Sequence, residues 1–310
     1  MGSERSSTTT RRGRHHAPRR VMVVVATLLG ALSLSATPTS AQSRPALSLL
    51  ALAGGGSPTS NFATGASSSS GIGVLDDVWC PTANVCEAVG HVNSETLAEV
   101  WNGKSWKTQP TPNPNGATLG SELLGVSCPT ANACGAVGLY QNSPSDEFMM
   151  AEVWNGTSWK LQKLPNPAGA TYSALFGVSC PTANVCEAVG QYDKSSDGFV
   201  ALAEVWNGTS WKLQKIPNSA GTAAVSCPTV NVCEAVGGAL AEGWNGKSWK
   251  TQPIPNPAGA TFSEILGLSC PTANACEAVG SYDNSSDDIF ALAEVWNGTS
   301  WKLQKLPSSS

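Results

Sequence analysis

Arginine is absent from most of this chain. All seven arginines lie before residue 45, and the remainder has 11 lysines against 21 acids, which gives it a formal net charge of −10. A surface that binds nucleic acid is rich in Arg and Lys because these side chains pair with phosphates. The composition therefore excludes nucleic acid as a partner. Histidine is scarce as well, because His91 is the only one after the first 16 residues.

Helical patterning is missing from residues 72–310. No stretch there repeats apolar residues with the 3.6-residue period of an amphipathic helix, although 41% of the chain is apolar. The alternation found instead is that of short strands separated by turn residues. The sequence therefore predicts an all-β domain.

The first 41 residues read as an export signal. A basic segment, residues 1–20, precedes 16 apolar residues, Val21–Ala36, and the small-residue sequence Thr39-Ser40-Ala41 follows. This order is typical of a secretory signal peptide with its cleavage site. An uncleaved membrane anchor is the alternative, but 16 residues fall short of the ~20 that span a bilayer. We expect a secreted, extracellular protein without stable membrane insertion after cleavage, followed by a flexible Gly/Ser-rich linker over residues 42–71.

Five copies of one unit fill residues 72–310. The phrase C-P-T-x-N-x-C occurs five times, and W-N-G-[KT]-S-W follows each occurrence. The approximate repeat boundaries are 72–117, 118–169, 170–218, 219–259 and 260–310.

Each unit has the pattern of four short antiparallel strands. In the third unit the predicted strands are 174–180, 186–192, 199–206 and 210–215. Asn207-Gly208 between the last two is a strong hairpin signal, since a type I′ turn needs φ > 0 at both central positions. Four strands in about 40–50 residues is the size of a propeller blade. The predicted fold is a five-bladed β-propeller built from five four-stranded repeats, with a β-solenoid as the alternative.

All ten cysteines belong to the repeat, in five C-x5-C pairs. This spacing places two cysteines at the bases of a five-residue hairpin loop, where opposed residues lie close enough for a disulfide. Zinc is the alternative, but it needs further Cys or His nearby. We predict no metal and five disulfides: Cys80–Cys86, Cys128–Cys134, Cys180–Cys186, Cys227–Cys233 and Cys270–Cys276.

Ten of the eleven tryptophans form one pair per repeat. With a two-residue Asn-Gly turn Trp206 would oppose Thr209 and have Trp211 as its diagonal neighbour, whereas with a four-residue turn the two tryptophans would oppose each other directly. In either case the two indoles fall on one face of the hairpin and can pack together. The favoured interpretation is core packing between blades, and the alternative is a ring of sugar-stacking platforms. The tryptophans are Trp101, Trp106, Trp154, Trp159, Trp206, Trp211, Trp244, Trp249, Trp296 and Trp301.

Carboxylates offer few catalytic candidates. A glutamate in A-E-[VG]-W recurs in all five copies, and we expect it to satisfy a recurring backbone or lysine partner. Acidic loops between the second and third strands could hold Ca²⁺, although a solvated loop is the favoured interpretation. A site is better sought where the repeat symmetry breaks. Four acids near the predicted innermost strands are the catalytic candidates: Asp76, Asp77, Glu122 and Glu264.

The order of strand, cysteine-rich turn, A-V-G, third strand and N-G-x-S-W resembles the BNR/Asp-box class of β-propeller repeats, and also secreted bacterial repeat proteins of unassigned function. Here Asn replaces the box Asp and the preceding Ser is absent. Some members of that class are sialidases, which bind the carboxylate of their substrate with three arginines. A domain without arginine excludes that activity.

Two functions remain open. The favoured one is a secreted, non-enzymatic binding or scaffold propeller whose partner is a glycan, cell-wall material or a protein, because no complete catalytic site emerges. The other is a glycan-active enzyme, a glycoside hydrolase with carboxylates at the central channel. Neither requires a cofactor, and we predict none.

Overall fold

A computed structural model describes residues 73–193, 198–217 and 221–307. The predicted signal peptide and linker lie outside the described residues. No helix long and apolar enough to cross a membrane occurs in the described part of the chain.

Five four-stranded antiparallel sheets follow one another along the chain, each a meander of consecutive strands. This confirms the predicted five-bladed β-propeller. Each sheet is called a blade, numbered 1 to 5. The strands are β1 (Gly73–Thr82), β2 (Val85–Val92), β3 (Glu95–Trp101) and β4 (Trp106–Gln109) in blade 1; β5 (Gly120–Thr130), β6 (Ala133–Ser143), β7 (Asp146–Trp154) and β8 (Trp159–Leu161) in blade 2; β9 (Ser173–Thr182), β10 (Val185–Asp193), β11 (Phe199–Trp206) and β12 (Trp211–Gln214) in blade 3; β13 (Ala224–Thr229), β14 (Val232–Gly237), β15 (Leu240–Trp244) and β16 (Trp249–Pro253) in blade 4; and β17 (Phe262–Thr272), β18 (Ala275–Asp283), β19 (Ile289–Trp296) and β20 (Trp301–Leu303) in blade 5.

The Asn-Gly loop has four residues, the longer of the two lengths that the sequence left open, and it is not the expected type I′ turn. Trp206 pairs directly with Trp211, so Asn207 to Ser210 form the loop, and of these only Gly208 has positive φ, at 88°. Asn207 acts through its side chain, because its Oδ1 accepts hydrogen bonds from the backbone N–H groups of Thr209 and Ser210. The same Asx-type arrangement recurs in the other four blades.

All five predicted disulfides form. The hairpin around them is tighter than the predicted five-residue loop. In blade 3 the strands continue past the cysteines to the pair Thr182–Val185, so that two residues make the turn. The register shift between Val185 and Glu187 is a bulge that accommodates the extra residues.

The first strands of successive blades lie side by side at the inner end of each sheet. The Ser127 hydroxyl of β5 accepts a hydrogen bond from the Cys180 N–H of β9 at 3.0 Å. The same bond joins blade 3 to blade 4 and blade 4 to blade 5. Apolar residues between the blades form the core, in clusters that each draw on two successive blades.

The two outer faces of this stack are exposed. In β2 and its counterparts, Val89, Val137, Val189 and Val236 are fully buried under the next blade, whereas Val279 of blade 5 is 48% exposed. At the other end Leu75 of β1 is 46% exposed, although its counterpart Leu123 is fully buried. Among the described residues, no strand pairing, interblade hydrogen bond or core cluster joins blade 5 to blade 1.

Candidate functional site

Three of the polar residues that break the repeat symmetry meet between blades 1 and 2. Asp76 lies on β1, His91 on β2 and Glu122 on β5, the first strand of the next blade. His91 pairs with Thr96 beside the turn between β2 and β3, and Glu122 lies near the start of β5. The cluster therefore lies at the edge of the blades that carries the turns between second and third strands, here called the β2–β3 edge.

One histidine nitrogen faces both carboxylates. Nδ1 of His91 is 3.4 Å from Oδ2 of Asp76 and 3.7 Å from Oε2 of Glu122. The side chains of His91 and Asp76 are 31% and 27% exposed, and that of Glu122 is 10% exposed. The site is thus open to solvent on the Asp76–His91 side, with Glu122 forming its floor.

Burial raises the pKa of both carboxyls. Desolvation raises the pKa of Glu122, the nearby His91 opposes this, and the negative charges of Asp76 and Glu147 raise it further. Desolvation also raises the pKa of Asp76, against the opposing influence of His91. Two carboxyls of unequal burial beside one imidazole can share a proton, or can accept hydrogen bonds from hydroxyl or amine groups of a ligand.

Glu147 and Tyr172 extend the cluster toward blade 3, and sequence reasoning did not select them as site residues. Glu147 forms an isolated bridge with Tyr172, and its backbone N–H donates to the Thr171 carbonyl. Burial raises the pKa of Glu147 and that of Tyr172, the latter to about 12. Nothing in the sequence signals this contact, because it joins the third strand of blade 2 to the residue that directly precedes the first strand of blade 3.

The other two catalytic candidates, Asp77 and Glu264, do not join this cluster and instead make hydrogen bonds within and between the blades. Oδ2 of Asp77 accepts a hydrogen bond from Val126 N–H of β5 at 2.8 Å, and Oδ1 accepts one from Val78 N–H. Asp77 thereby links blade 1 to blade 2, and burial raises its pKa to about 6. Glu264, the blade 5 counterpart of Glu122, accepts a hydrogen bond from Ser281 of its own blade at 3.2 Å.

The tryptophan pairs lie at the opposite edge, beside the disulfides, since Cys186 pairs with Trp206. Their ring centroids are 5.7 to 5.8 Å apart in every blade. The second tryptophan is 3 to 4% exposed in blades 2 to 5, as at Trp159, but Trp106 of blade 1 is 41% exposed. A shallow depression of about 380 Å³ beside Trp244 and Trp249 also includes Lys215 and Lys247. The sugar-stacking hypothesis remains a prediction for this edge.

The repeated glutamate of the third strand has no lysine partner among the described residues. Glu152, Glu204, Glu242 and Glu294 are fully buried. Thr251 approaches Glu242 at 3.3 Å, whereas neither carboxylate oxygen of Glu204 or Glu294 has a hydrogen-bond partner. The expected recurring partner is therefore wrong, and burial raises the pKa of Glu204 to about 8.

Groups of His, Cys, Asp and Glu arranged to hold a metal ion are absent from the described ranges. The acidic loop of blade 5 is organised by its own hydrogen bonds. Oδ1 of Asn284 accepts from the N–H groups of Ser286 and Asp288, and its Nδ2 donates to the Asp288 carboxylate.

No protein-family model matches the chain, and no curated protein matches it either. Among solved structures, the chain is similar to YCF48 bound to a D1 peptide, with 10% identity and a TM-score of 0.34 over 76% of this chain and 83% of that one. It is also similar to the fucose-specific lectin of Aleuria aurantia, with 13% identity and a TM-score of 0.43 over 73% of this chain and 76% of the lectin. A glycoside hydrolase gives 7% identity and a TM-score of 0.32 over 77% and 90%.

Proposed function

We propose that the protein is a secreted binding propeller and that its ligand site is the Asp76–His91–Glu122 cluster. The observation that carries this proposal is the approach of two carboxylates from neighbouring blades to one buried histidine nitrogen, at 3.4 and 3.7 Å, where the His91 and Asp76 side chains are partly exposed. Five disulfides are typical of proteins that mature in an oxidising compartment, which supports the secreted location.

The chemistry of the cluster favours a ligand rich in hydrogen-bond donors. Carboxylate oxygens accept from hydroxyl and amine groups, and imidazole can accept or donate according to its tautomer. An extracellular glycan or a protein segment with exposed hydroxyl or amine groups supplies such donors. The acidic domain disfavours an anionic ligand, because like charges repel.

A glycan array with the full exported chain tests this proposal. We expect reproducible binding to a subset of glycans by the wild type, and loss of that binding in D76N and in E122Q. The matched control is E264Q, because Glu264 has the same repeat position in blade 5 without the histidine. Wild-type binding that D76N and E122Q leave intact would reject the site. A blank array would reject a glycan ligand and direct the search to protein partners.

One observation favours a second candidate function, a glycan-active enzyme. The two carboxyls differ in burial, and a glycosidase needs one protonated and one ionised carboxyl across the scissile bond. In that case Glu122 would be the general acid and Asp76 the base or nucleophile. Incubating the protein with the glycans that it binds would release reducing sugar with the wild type but not with E122Q. Binding without turnover would reject this candidate.

A further inference from the structure

Among the residues that the structure describes, the exposed faces of blade 1 and blade 5 are unpaired copies of faces that pack together between the other blades. We call the face of a blade that packs against the next blade along the chain its forward face, and the face that packs against the preceding blade its backward face. Equivalent residues recur at each interface between blades. The forward face of blade 5 retains Val279, and the backward face of blade 1 retains Leu75, Val78 and Trp106. These four residues are 39 to 48% exposed.

A repeated hydrogen-bond relay makes the match specific. In blade 4, Gln252 Nε2 donates to Glu234 at 3.2 Å, while its Oε1 accepts from Trp301 Nε1 of blade 5 at 2.7 Å. Blade 3 makes the same pair of contacts to blade 4. Each relay therefore needs a Glu–Gln pair on one blade and the second tryptophan of the following blade.

The two halves of one further relay stand at opposite ends of the stack. Gln304 of blade 5 donates through Nε2 to both oxygens of Glu277, at 3.1 and 2.9 Å. This is the first half of the relay. Gln304 Oε1 is then the counterpart of Gln252 Oε1, which in blade 4 accepts the hydrogen bond from the tryptophan of the next blade. Trp106 of blade 1 stands at the donor position of the second half. Ser269 likewise stands where Ser226 accepts from the next blade's cysteine N–H.

We propose that blade 5 of one copy packs against blade 1 of a second copy in head-to-tail association. The occupant is a second copy because this chain itself supplies the register-matched partner for each face. Each blade has four strands of its own. The proposed contact is therefore one between the faces of complete blades, and it does not require a strand to be exchanged. A heterologous interface of this kind extends or closes into a ring of copies.

Complementary variants test the proposal by molar mass, measured with light scattering on the full exported chain over a concentration series. V279K damages only the forward face and L75K only the backward face. We expect the wild type to exceed the mass of one copy as concentration rises and each variant alone to remain at the mass of one copy. An equimolar mixture of the two variants should give twice that mass, because one intact face of each kind remains.

The control V230K adds the same charge in a turn of blade 4, at a residue that is 37% exposed, and should assemble like the wild type. A wild type that keeps the mass of one copy at every concentration would overturn the proposal. This is also the mass expected if blade 5 closed against blade 1 of the same chain. Assembly of V279K or of L75K alone would overturn it as well, because a head-to-tail contact requires both faces. A mixture that stays at the mass of one copy would also contradict it.

Discussion

The repeated glutamate of the third strand is a carboxyl whose pKa is raised by burial and whose hydrogen bonding depends on its cross-strand neighbour. In blade 4 the cross-strand neighbour of Glu242 is Thr251, which lies 3.3 Å from the carboxylate. In blade 3 the neighbour of Glu204 is Leu213, and neither oxygen of Glu204 has a hydrogen-bond partner among the residues described. A buried carboxylate without hydrogen bonds is costly, so Glu204 is better accommodated in its neutral form.

We predict that the propeller loses stability as the pH rises above 4.5. The pKa of Glu204 is raised from 4.5 to about 8, so between these values the folded protein holds a proton that the unfolded chain has released. Stability therefore falls from pH 4.5 to about 8 and levels off beyond, and several other buried glutamates have pKa values raised in the same direction.

The variant E204Q tests this directly. We expect it to unfold at a higher temperature than the wild type at pH 8, by about 2–4 °C for each 1 kcal/mol gained, and to differ little at pH 5. Thermal unfolding followed by circular dichroism measures this difference. E95Q, at an exposed glutamate, should leave the pH dependence unchanged. Parallel curves for E204Q and the wild type would contradict the assignment.

A lost residue also explains an unpaired tryptophan. Within the described part of the chain Trp211 Nε1 is buried without a hydrogen-bond partner, although its counterparts in blades 2, 4 and 5 donate to a glutamine of the preceding blade. Blade 2 has Gly135 where most blades have glutamate, and its Gln162 donates to the Lys160 carbonyl instead. Without the glutamate to orient it, the glutamine does not offer its oxygen to the tryptophan.

At the scale of strands and turns, the sequence predicted the elements well and the turns less well. Alternating apolar residues bounded by turn signals gave the third strand of blade 3 with its observed bounds, Phe199–Trp206. The Asn-Gly loop is not the type I′ turn that the dipeptide favours, since asparagine can serve a turn either through positive φ or through its side chain. Only the position of Trp206 opposite Trp211 decides between these, and both remained open in the sequence.

A glycine substitution tests the importance of this loop. Gly208 has a φ of 88°, and a Cβ there would lie 3.2 Å from the Asn184 Cβ in the adjacent turn. Gly169 has a similar φ of 79°, but a Cβ would meet nothing within 4 Å. Both G208A and G169A should lose roughly 1–2 kcal/mol from left-handed backbone strain, and we expect G208A to lose more because of the added contact. Chemical denaturation measures both, and equal losses would show that the contact between turns is unimportant.

The whole molecule differs from its sequence pattern at its two ends. Five repeats predicted five blades, and the structure contains five. Their exposed outer faces could not be predicted, because Val279 belongs to the same repeated phrase as the buried Val137. Identical residues are core or surface according to whether another blade follows, which is a property of the stack and not of the repeat.

The candidate site was partly predictable because it lies where the repeats differ from one another. Asp76 and Glu122 were selected as acids near the innermost strands, at positions where the repeats differ. The contribution of His91 was not foreseen, since it lies on the second strand and meets Asp76 within its own sheet but Glu122 only across the interface to blade 2. Asp77 shows the limit of this reasoning, because its carboxylate bonds to the Val126 and Val78 N–H groups and so serves blade packing.

The most direct test of the proposed ligand site is the dissociation constant of a ligand selected on the array, measured by calorimetry for the wild type, E122Q and E264Q. Both variants change glutamate to glutamine at one repeat position, and only Glu122 lies beside His91 and Asp76. We expect E122Q to weaken binding by about tenfold or more, corresponding to about 1.4 kcal/mol, and E264Q to bind like the wild type. Equal affinity of E122Q and the wild type, or equal losses in both variants, would contradict the placement of the site between blades 1 and 2.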